Sequence, residues 1–337
     1  MLDSCGDHPS VSVIIPMFNS ASTVARTLDS VLAQDPPPTE VIAVDDGSPD
    51  ESGRIAEAYG GVVRCLRQEH AGVSAARNAG VRAARGDLVA FLDPDDYWLP
   101  GFLRATIAFL NDYPQTGAVS TSRLVKVRRG NREVLSGVRT LDHLPTGLID
   151  DFFSTIARAP FVWTGSALLR REIANAVGDM RTDLPAGEDL EYWSRIAKRT
   201  TWGYVADRLT VYDRTNPHAL THRSSPRRFV RDIDEWKRDL VPLLTEQDLP
   251  GFRQLEAGLA RRAFSCYLED ADMPRARAVL KSGRMLLPSY ANRPFALLAS
   301  MPGTMAPLVS ALWQLSLRVW RIVPRMTGLA ARTTRPS

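Results

Sequence analysis

Short apolar runs alternate with amphipathic stretches along the first ninety or so residues, and this alternation restricts the fold more than any other feature. Val11–Pro16, Glu40–Asp45, Val62–Leu66 and Leu88–Leu92 read as buried strands bounded by turn residues. Between the first two, Val24, Leu28, Val31 and Leu32 fall on one helical face, Ser22 is a candidate cap, and Pro36-Pro37-Pro38 ends the unit. A helix from about Glu51 to Tyr59 stops at Gly60-Gly61, and one from Val73 to Ala84 is ended by Gly86. Strands and helices alternating at this spacing predict an α/β fold, a mostly parallel sheet covered by helices on both faces. Ligands bind such sheets beyond the carboxyl ends of the strands. Asn19, Asp46, Asp93 and Asp95 all fall there.

The fourth run delivers three carboxylates, Asp93, Asp95 and Asp96, to one strand end. Like charges this close repel, so a cation is needed to offset them. Hard oxygen ligands at Asp-x-Asp spacing suit Mg²⁺ or Mn²⁺, which keep waters and take phosphate oxygens as further ligands. A metal-bound diphosphate fits that description. The ordinary alternative is a solvated acidic loop before the helix that starts near Pro100. A second acidic cluster, Gly187-Glu188-Asp189-Leu190-Glu191, opens a helix, where the dipole favours anions. Taken alone, these residues need do no more than cap it. Tyr192 and Trp193 on the same helix read as core before they read as sugar platforms.

Four stretches in this order, VSVIIPMFNS (11–20), EVIAVDDGSPDES (40–52), HAGVSAARNAGVRAARGDLVAFLDPDDYWLP (70–100) and AGEDLEYWSRI (186–196), resemble the family 2 glycosyltransferases. These are inverting, nucleotide-sugar-dependent enzymes of the GT-A fold, a Rossmann-like sheet flanked by helices. The resemblance spans about residues 10 to 215. It implies a nucleotide-sugar donor, a UDP-sugar first, and a Mn²⁺ or Mg²⁺ cofactor. It implies that Pro16 to Asn19 lie beside the nucleoside and that Asp46 accepts from an N–H of the base. It sets Arg77 near the base or diphosphate, Asp93 toward the ribose or metal, and Asp95 on the metal. The family's Glu-Asp pair supplies the base that takes the acceptor's proton; the matching residue is Asp189, with Glu188 second. Trp163, in Phe161–Ser166, falls in the family's loop between donor and acceptor, where it contacts a sugar or is simply buried. One departure stands out. Many relatives carry Arg-x-His-Pro after a strand like Leu209–Tyr212; here Asn216 replaces that histidine, with His218 and His222 nearby as ambiguous substitutes.

A chain of 337 residues accommodates one large domain and an appendage, read as a catalytic domain over 1–225 and a helical region over 226–337. In the latter Phe229, Ile233, Trp236 and Leu240 recur at helical intervals, as do Leu255, Leu259, Ala263 and Cys266. Pro294 to Leu317 carries no formal charge, and Arg318, Arg321 and Arg325 follow beside Trp320. That pattern suits a helix lying on an anionic membrane surface, or equally one packed on the protein or in a dimer. Three scattered cysteines (Cys5, Cys65, Cys266) and no visible signal peptide fit a cytoplasmic protein, peripheral on the membrane's cytoplasmic face if that helix binds lipid. A net charge of +4 without aromatic–basic motifs does not point to nucleic acid. The expected activity is sugar transfer to a saccharide or lipid-linked acceptor in surface polysaccharide assembly. The alternatives are an inactive glycosyltransferase-like scaffold at a membrane, or a sugar nucleotidyltransferase.

Overall fold

The computed structural model describes residues 8–130, 132–184, 187–216, 233–269 and 272–282. The first strands and helices follow the apolar runs: β1 (Val11–Met17), α1 (Val24–Leu32), β2 (Glu40–Asp45), α2 (Ser52–Tyr59), β3 (Val63–Arg67), α3 (Val73–Ala83) and β4 (Leu88–Phe91). Then come β5 (Tyr97–Trp98), α4 (Phe102–Asp112), β6 (Thr116–Arg129), β7 (Arg132–Gly137), β8 (Gly147–Ile149) and α5 (Phe152–Arg158). A 3-10 turn, Thr164–Ser166, leads into β9 (Ala167–Arg170), α6 (Arg171–Val177), α7 (Glu188–Ala197) and β10 (Thr201–Asp213). The remaining described helices are α8 (Ile233–Lys237), α9 (Leu249–Glu269) and α10 (Met273–Lys281).

The main sheet runs β3-β2-β1-β4-β9-β6-β10-β5. β1 pairs in parallel with β2 and β4, and β2 with β3. β9 is antiparallel to both β4 and β6, so β6 resumes the direction of β4, and β10 pairs with β6 in parallel. The carboxyl ends of β1, β2, β3, β4, β6 and β10 therefore share one edge. The chain order reverses at β1, between β2 and β4, the kind of switch point where such sheets open a crevice.

Helix-forming periodicity decides what packs on each face. α1 buries Val24, Leu28 and Val31 as its spacing predicts. Ser22, however, is not its cap: the helix begins one residue after Thr23, without a side-chain cap bond. The entry is instead fixed from α2, with Ser52 Oγ accepting from Ser20 N at 2.8 Å and Asp50 accepting from Ala21 N at 2.9 Å. α3 lies close on β1 because Gly80 has no side chain; a Cβ there would sit 2.3 Å from Ile14 Cγ2. On α7, Tyr192 and Trp193 are both 1% exposed, so its aromatic face is core. They contact Phe91 of β4 edge-on, and Trp193 contacts Trp202 of β10.

The chain divides into two compact units, Met1–Ser225 with Asp232–Leu255, and Pro226–Arg231 with Glu256–Ser337. Within the first, Trp236 of α8 stacks on Phe252 at 5.9 Å, and Val241–Leu243 forms a 3-10 turn that interrupts the helical periodicity at Pro242. Within the second, the rest of α9 and α10 are described, with Leu259, Ala263 and Cys266 buried. Among the described residues no helix is long and apolar enough to cross a membrane. The uncharged run from Pro294, Arg318, Arg321 and Arg325, Phe229, and His218 and His222 all lie outside the described residues.

Candidate active site

The shared edge gathers the acidic residues. β1 holds Pro16 within the sheet opposite Val44, and Phe18 and Asn19 follow its last residue, Met17. Asn19 has φ 53°, a left-handed conformation that Asn tolerates better than most residues. The Phe18 ring stacks on His70 at 4.1 Å. Asp46, just past β2, turns its carboxylate into the loop before α3. It accepts from Gln68 Nε2 at 2.7 Å, from Ala71 N and Gly72 N at 2.9 Å each, and lies 2.8 Å from His70 Nδ1. Asp46 thus organises the Gln68–Gly72 loop, a task its place after a strand does not reveal.

Arg77 joins the two acidic clusters. It lies on α3, with a side chain only 5% exposed; Nη2 donates to Asp93 at 2.8 Å and Nη1 to Glu188 at 3.3 Å. Burial works against its charge, and Asp93 and Glu188 outweigh burial and hold the guanidinium protonated. Beside this bridge sits Asp189, whose Oδ1 accepts from Leu190 N at 2.7 Å. Burial and then the Glu188 charge push Asp189 up to about 6, with Arg77 pulling the other way. The third carboxylate of that helix does something else: Glu191 is fully buried and clasped by Arg195 at 2.7 and 2.9 Å, while Arg195 also bonds the carbonyls of Val177 and Asp179. Glu191 fastens α7 in place.

The Asp93–Asp96 turn separates its carboxylates. Asp95 is pushed up to about 6 by burial and by Asp93, and its Oδ2 accepts from Asn216 Nδ2 at 3.0 Å. The residue standing where relatives carry histidine therefore reaches the same acidic turn. Asp96, grouped with the others by sequence, instead faces inward. It is fully buried, accepts from Asp213 N at 2.8 Å, and is pushed well above the usual carboxylate range by burial and by its acidic neighbours. Sequence reasoning missed the two anchors of this turn, Arg26 and Asp213. Arg26 donates to Asp213 Oδ2 at 2.8 Å and to the Asp95 carbonyl, and lies over the Tyr97 ring. Asp213 Oδ1 accepts from Thr215 N and Oγ1, which ties down the turn that presents Asn216. Among the described residues no three Asp, Glu, His or Cys side chains form a ready-made metal cage.

Trp163 is neither fully core nor free. Its ring lies 5.2 Å from Tyr212 and 5.8 Å from the Arg123 guanidinium. The loop is pinned by Trp98 Nε1, which donates to Gly165 O at 2.8 Å.

These electrostatics give a stability test. Asp95 is raised, so the folded chain holds its proton to higher pH than the unfolded chain does. Above about pH 6 the ionised, desolvated Asp95 weighs against the fold. Asp95→Asn should therefore stabilise the metal-free protein at pH 7.5 by ~1–2 kcal/mol and have little effect at pH 4. Urea titrations at the two pH values read the difference; equal effects would contradict a desolvated Asp95.

Known proteins share this framework. The model of glycosyl transferase family 2 matches residues 12–178. An uncharacterized protein of Mycobacterium tuberculosis, MT1568, is 30% identical over 239 residues, 66% of this chain and 73% of that protein. The uncharacterized glycosyltransferase EpsJ of Bacillus subtilis is 45% identical over 92 residues, 26% of this chain and 27% of that protein. Among solved structures, Staphylococcus aureus TarS 1-349 with UDP-GlcNAc superposes with a TM-score of 0.66 at 19% identity, covering 96% of this chain and 93% of TarS 1-349. The Pyrobaculum calidifontis mannosyltransferase with GDP-Man and Mn²⁺ gives 0.53 at 23% identity, covering 91% and 87%. At these identities the structural likeness speaks for the fold: a GT-A α/β sheet.

Proposed function

The chain belongs to glycosyl transferase family 2, and from that premise we propose that it moves a sugar, with inversion, from a nucleoside diphosphate to a hydroxyl of a saccharide or lipid-linked acceptor in surface polysaccharide assembly. The observation that carries this reading is the buried Arg77 bridge. It fastens Asp93 and Glu188 into one edge, with Asp95 and Asp189 beside them. Two strand-end acids face two helix-start acids across a single cation. That pairing suits a reaction with an anionic leaving group on one side and a proton to remove on the other.

In this reading the nucleoside lies over Pro16–Asn19. An N–H of the base takes a lone pair of Asp46 now used within the Gln68–Gly72 loop. A UDP-sugar is the first donor to test, since TarS binds UDP-GlcNAc. Asp93 and Asp95 fit a divalent ion that keeps water ligands: one oxygen of each is held, by Arg77 and Asn216, and the other has no side-chain partner among the described residues. Bound there, Mn²⁺ or Mg²⁺ neutralises charge on the departing diphosphate. Arg77 orients Asp93 and Glu188. Asp189 takes the proton as the acceptor oxygen bonds to the anomeric carbon. The bond from that carbon to the phosphate oxygen breaks, and its electron pair leaves with the nucleoside diphosphate. Trp163 borders the sugar and acceptor side.

A panel of nucleotide sugars with Mn²⁺, read as released nucleoside diphosphate, tests the activity and identifies the base. Asp95→Ala should then lose the metal-dependent part of UDP affinity, by ~10-fold or more in calorimetry. Unchanged affinity with and without Mn²⁺ would remove Asp95 from the metal site.

A further inference from the structure

The edge has a second half, over β9, β6 and β10, that the nucleotide reading leaves unused. Arg123 stands there, on β6 opposite Thr210 of β10. Its Nη1 reaches the Pro160 carbonyl at 2.8 Å, in the loop whose next residue, Phe161, meets Trp202 and Tyr204 edge-on at 6.2 and 6.1 Å.

Its charge is not balanced. Nη1 donates to the Pro160 carbonyl at 2.8 Å, and the Trp163 ring lies beneath the guanidinium. Among the described residues no carboxylate pairs with it. The one that acts on it is Asp96, at longer range, and Asp96 is raised and buried. Arg26 and Arg77 at the same edge each hold carboxylates. Burial disfavours the charged form of Arg123, yet a guanidinium does not give up its proton in a protein. A half-buried cation without a counter-ion is costly, and a ligand oxyanion offsets that cost.

The surroundings suit a saccharide. Trp163 and Tyr212 meet at 5.2 Å, and the buried Trp163 Nε1–H has no hydrogen-bond partner among the described residues. The Trp163 platform is held from below, because Gly165 has no side chain; a Cβ there would sit 2.7 Å from the indole. A rigid aromatic surface beside a fixed cation recognises a sugar ring bearing negative charge.

We propose that Arg123, with Trp163 and Tyr212, forms a subsite for an oxyanion carried by the glycosyl acceptor, a phosphate diester or a carboxylate near the accepting hydroxyl. This rests on the sugar-transfer reading above. The diphosphate of the donor is served at the other half of the edge, by Arg77 and the Asp93–Asp95 turn, so Arg123 is left to the acceptor.

The test uses the full chain with UDP and Mg²⁺ and two matched probe pairs: methyl glucuronide against methyl glucoside, and glycerophosphoglycerol against glycerol. Saturation-transfer NMR titrations give the affinities. At least one anionic probe should bind ~5-fold or more tightly than its neutral partner, the scale of one charge-assisted contact. The pair that responds tells carboxylate from phosphate. Arg123→Gln should erase the preference and Arg123→Lys retain part of it, with UDP affinity by calorimetry unchanged in both. Equal binding of charged and neutral probes to the unmodified chain overturns the proposal, whatever the variants do. A loss of UDP affinity in Arg123→Gln matching the loss of probe binding also overturns it and assigns Arg123 to the donor. Failure of the unmodified chain to bind any nucleoside diphosphate of the donor panel refutes the sugar-transfer reading instead, and this proposal with it.

Discussion

Asp189→Asn is expected to bind the nucleotide donor as the parent chain does and to lose transfer by at least ~10²-fold, the usual scale for removing a general base. Asparagine keeps the shape and the bond that Asp189 accepts from Leu190 N, and it cannot take a proton. The geometry favours Asp189 over its neighbour. Glu188 is committed to Arg77, whereas Asp189 has an oxygen outside the Leu190 bond and is pushed up to about 6 by burial and Glu188. A carboxylate with that affinity for protons is a better base than an ordinary one and is still ionised at neutral pH. The rate should therefore rise with pH through about 6 and level off above it, since the deprotonated form is the active one. Glu188→Gln should keep that limb and lose rate more modestly. Near-normal turnover in Asp189→Asn, with collapse in Glu188→Gln, would move the base to Glu188.

The first half of the fold is legible in the sequence because its central strands, β1, β2 and β4, are nearly continuous apolar runs closed by turn residues. A strand buried on both faces has no other way to be written. The acidic ends are legible for the same reason, since Asp at the close of such a run is out of place unless something uses it. The second half is harder to read. β6 and β10 are long, half polar and irregular in register, and the inverted β9 is short and apolar. Asp95 and Asp96 look alike in sequence; only the approach of the Asp213 N–H turns one inward. Arg26 reads as a solvated position on the polar side of α1, and its partners lie far along the chain. Arg123 gives no signal at all, because what marks it is a missing partner. Asn216 stands in sequence only as a departure from an Arg-x-His-Pro pattern, and its bond to Asp95 is not legible there.

Arg77→Met is the second substitution expected to act strongly, and on three quantities at once. Methionine fills much of the volume and removes the cation. Asp93 and Glu188, whose side chains are 27% and 17% exposed, would then face each other and Asp189 with no counter-charge. Breaking a largely buried pair from the cationic side should cost ~2–4 kcal/mol of stability, measured as a fall in the urea midpoint with an unchanged slope. Protonation of the stranded carboxylates relieves part of that cost, so the deficit should shrink toward pH 5. The same charge restrains Asp189, so its loss should raise the Asp189 pKa and move the acid limb of the rate upward from about 6. Arg77→Lys keeps the charge but not a planar fork able to hold Asp93 and Glu188 at once; it should recover most of the stability and only part of the rate. An acid limb that stays in place in both variants would mean that Arg77 does not act on the base. Stability within ~0.5 kcal/mol of the parent would mean that the two acidic clusters do not depend on it for their approach.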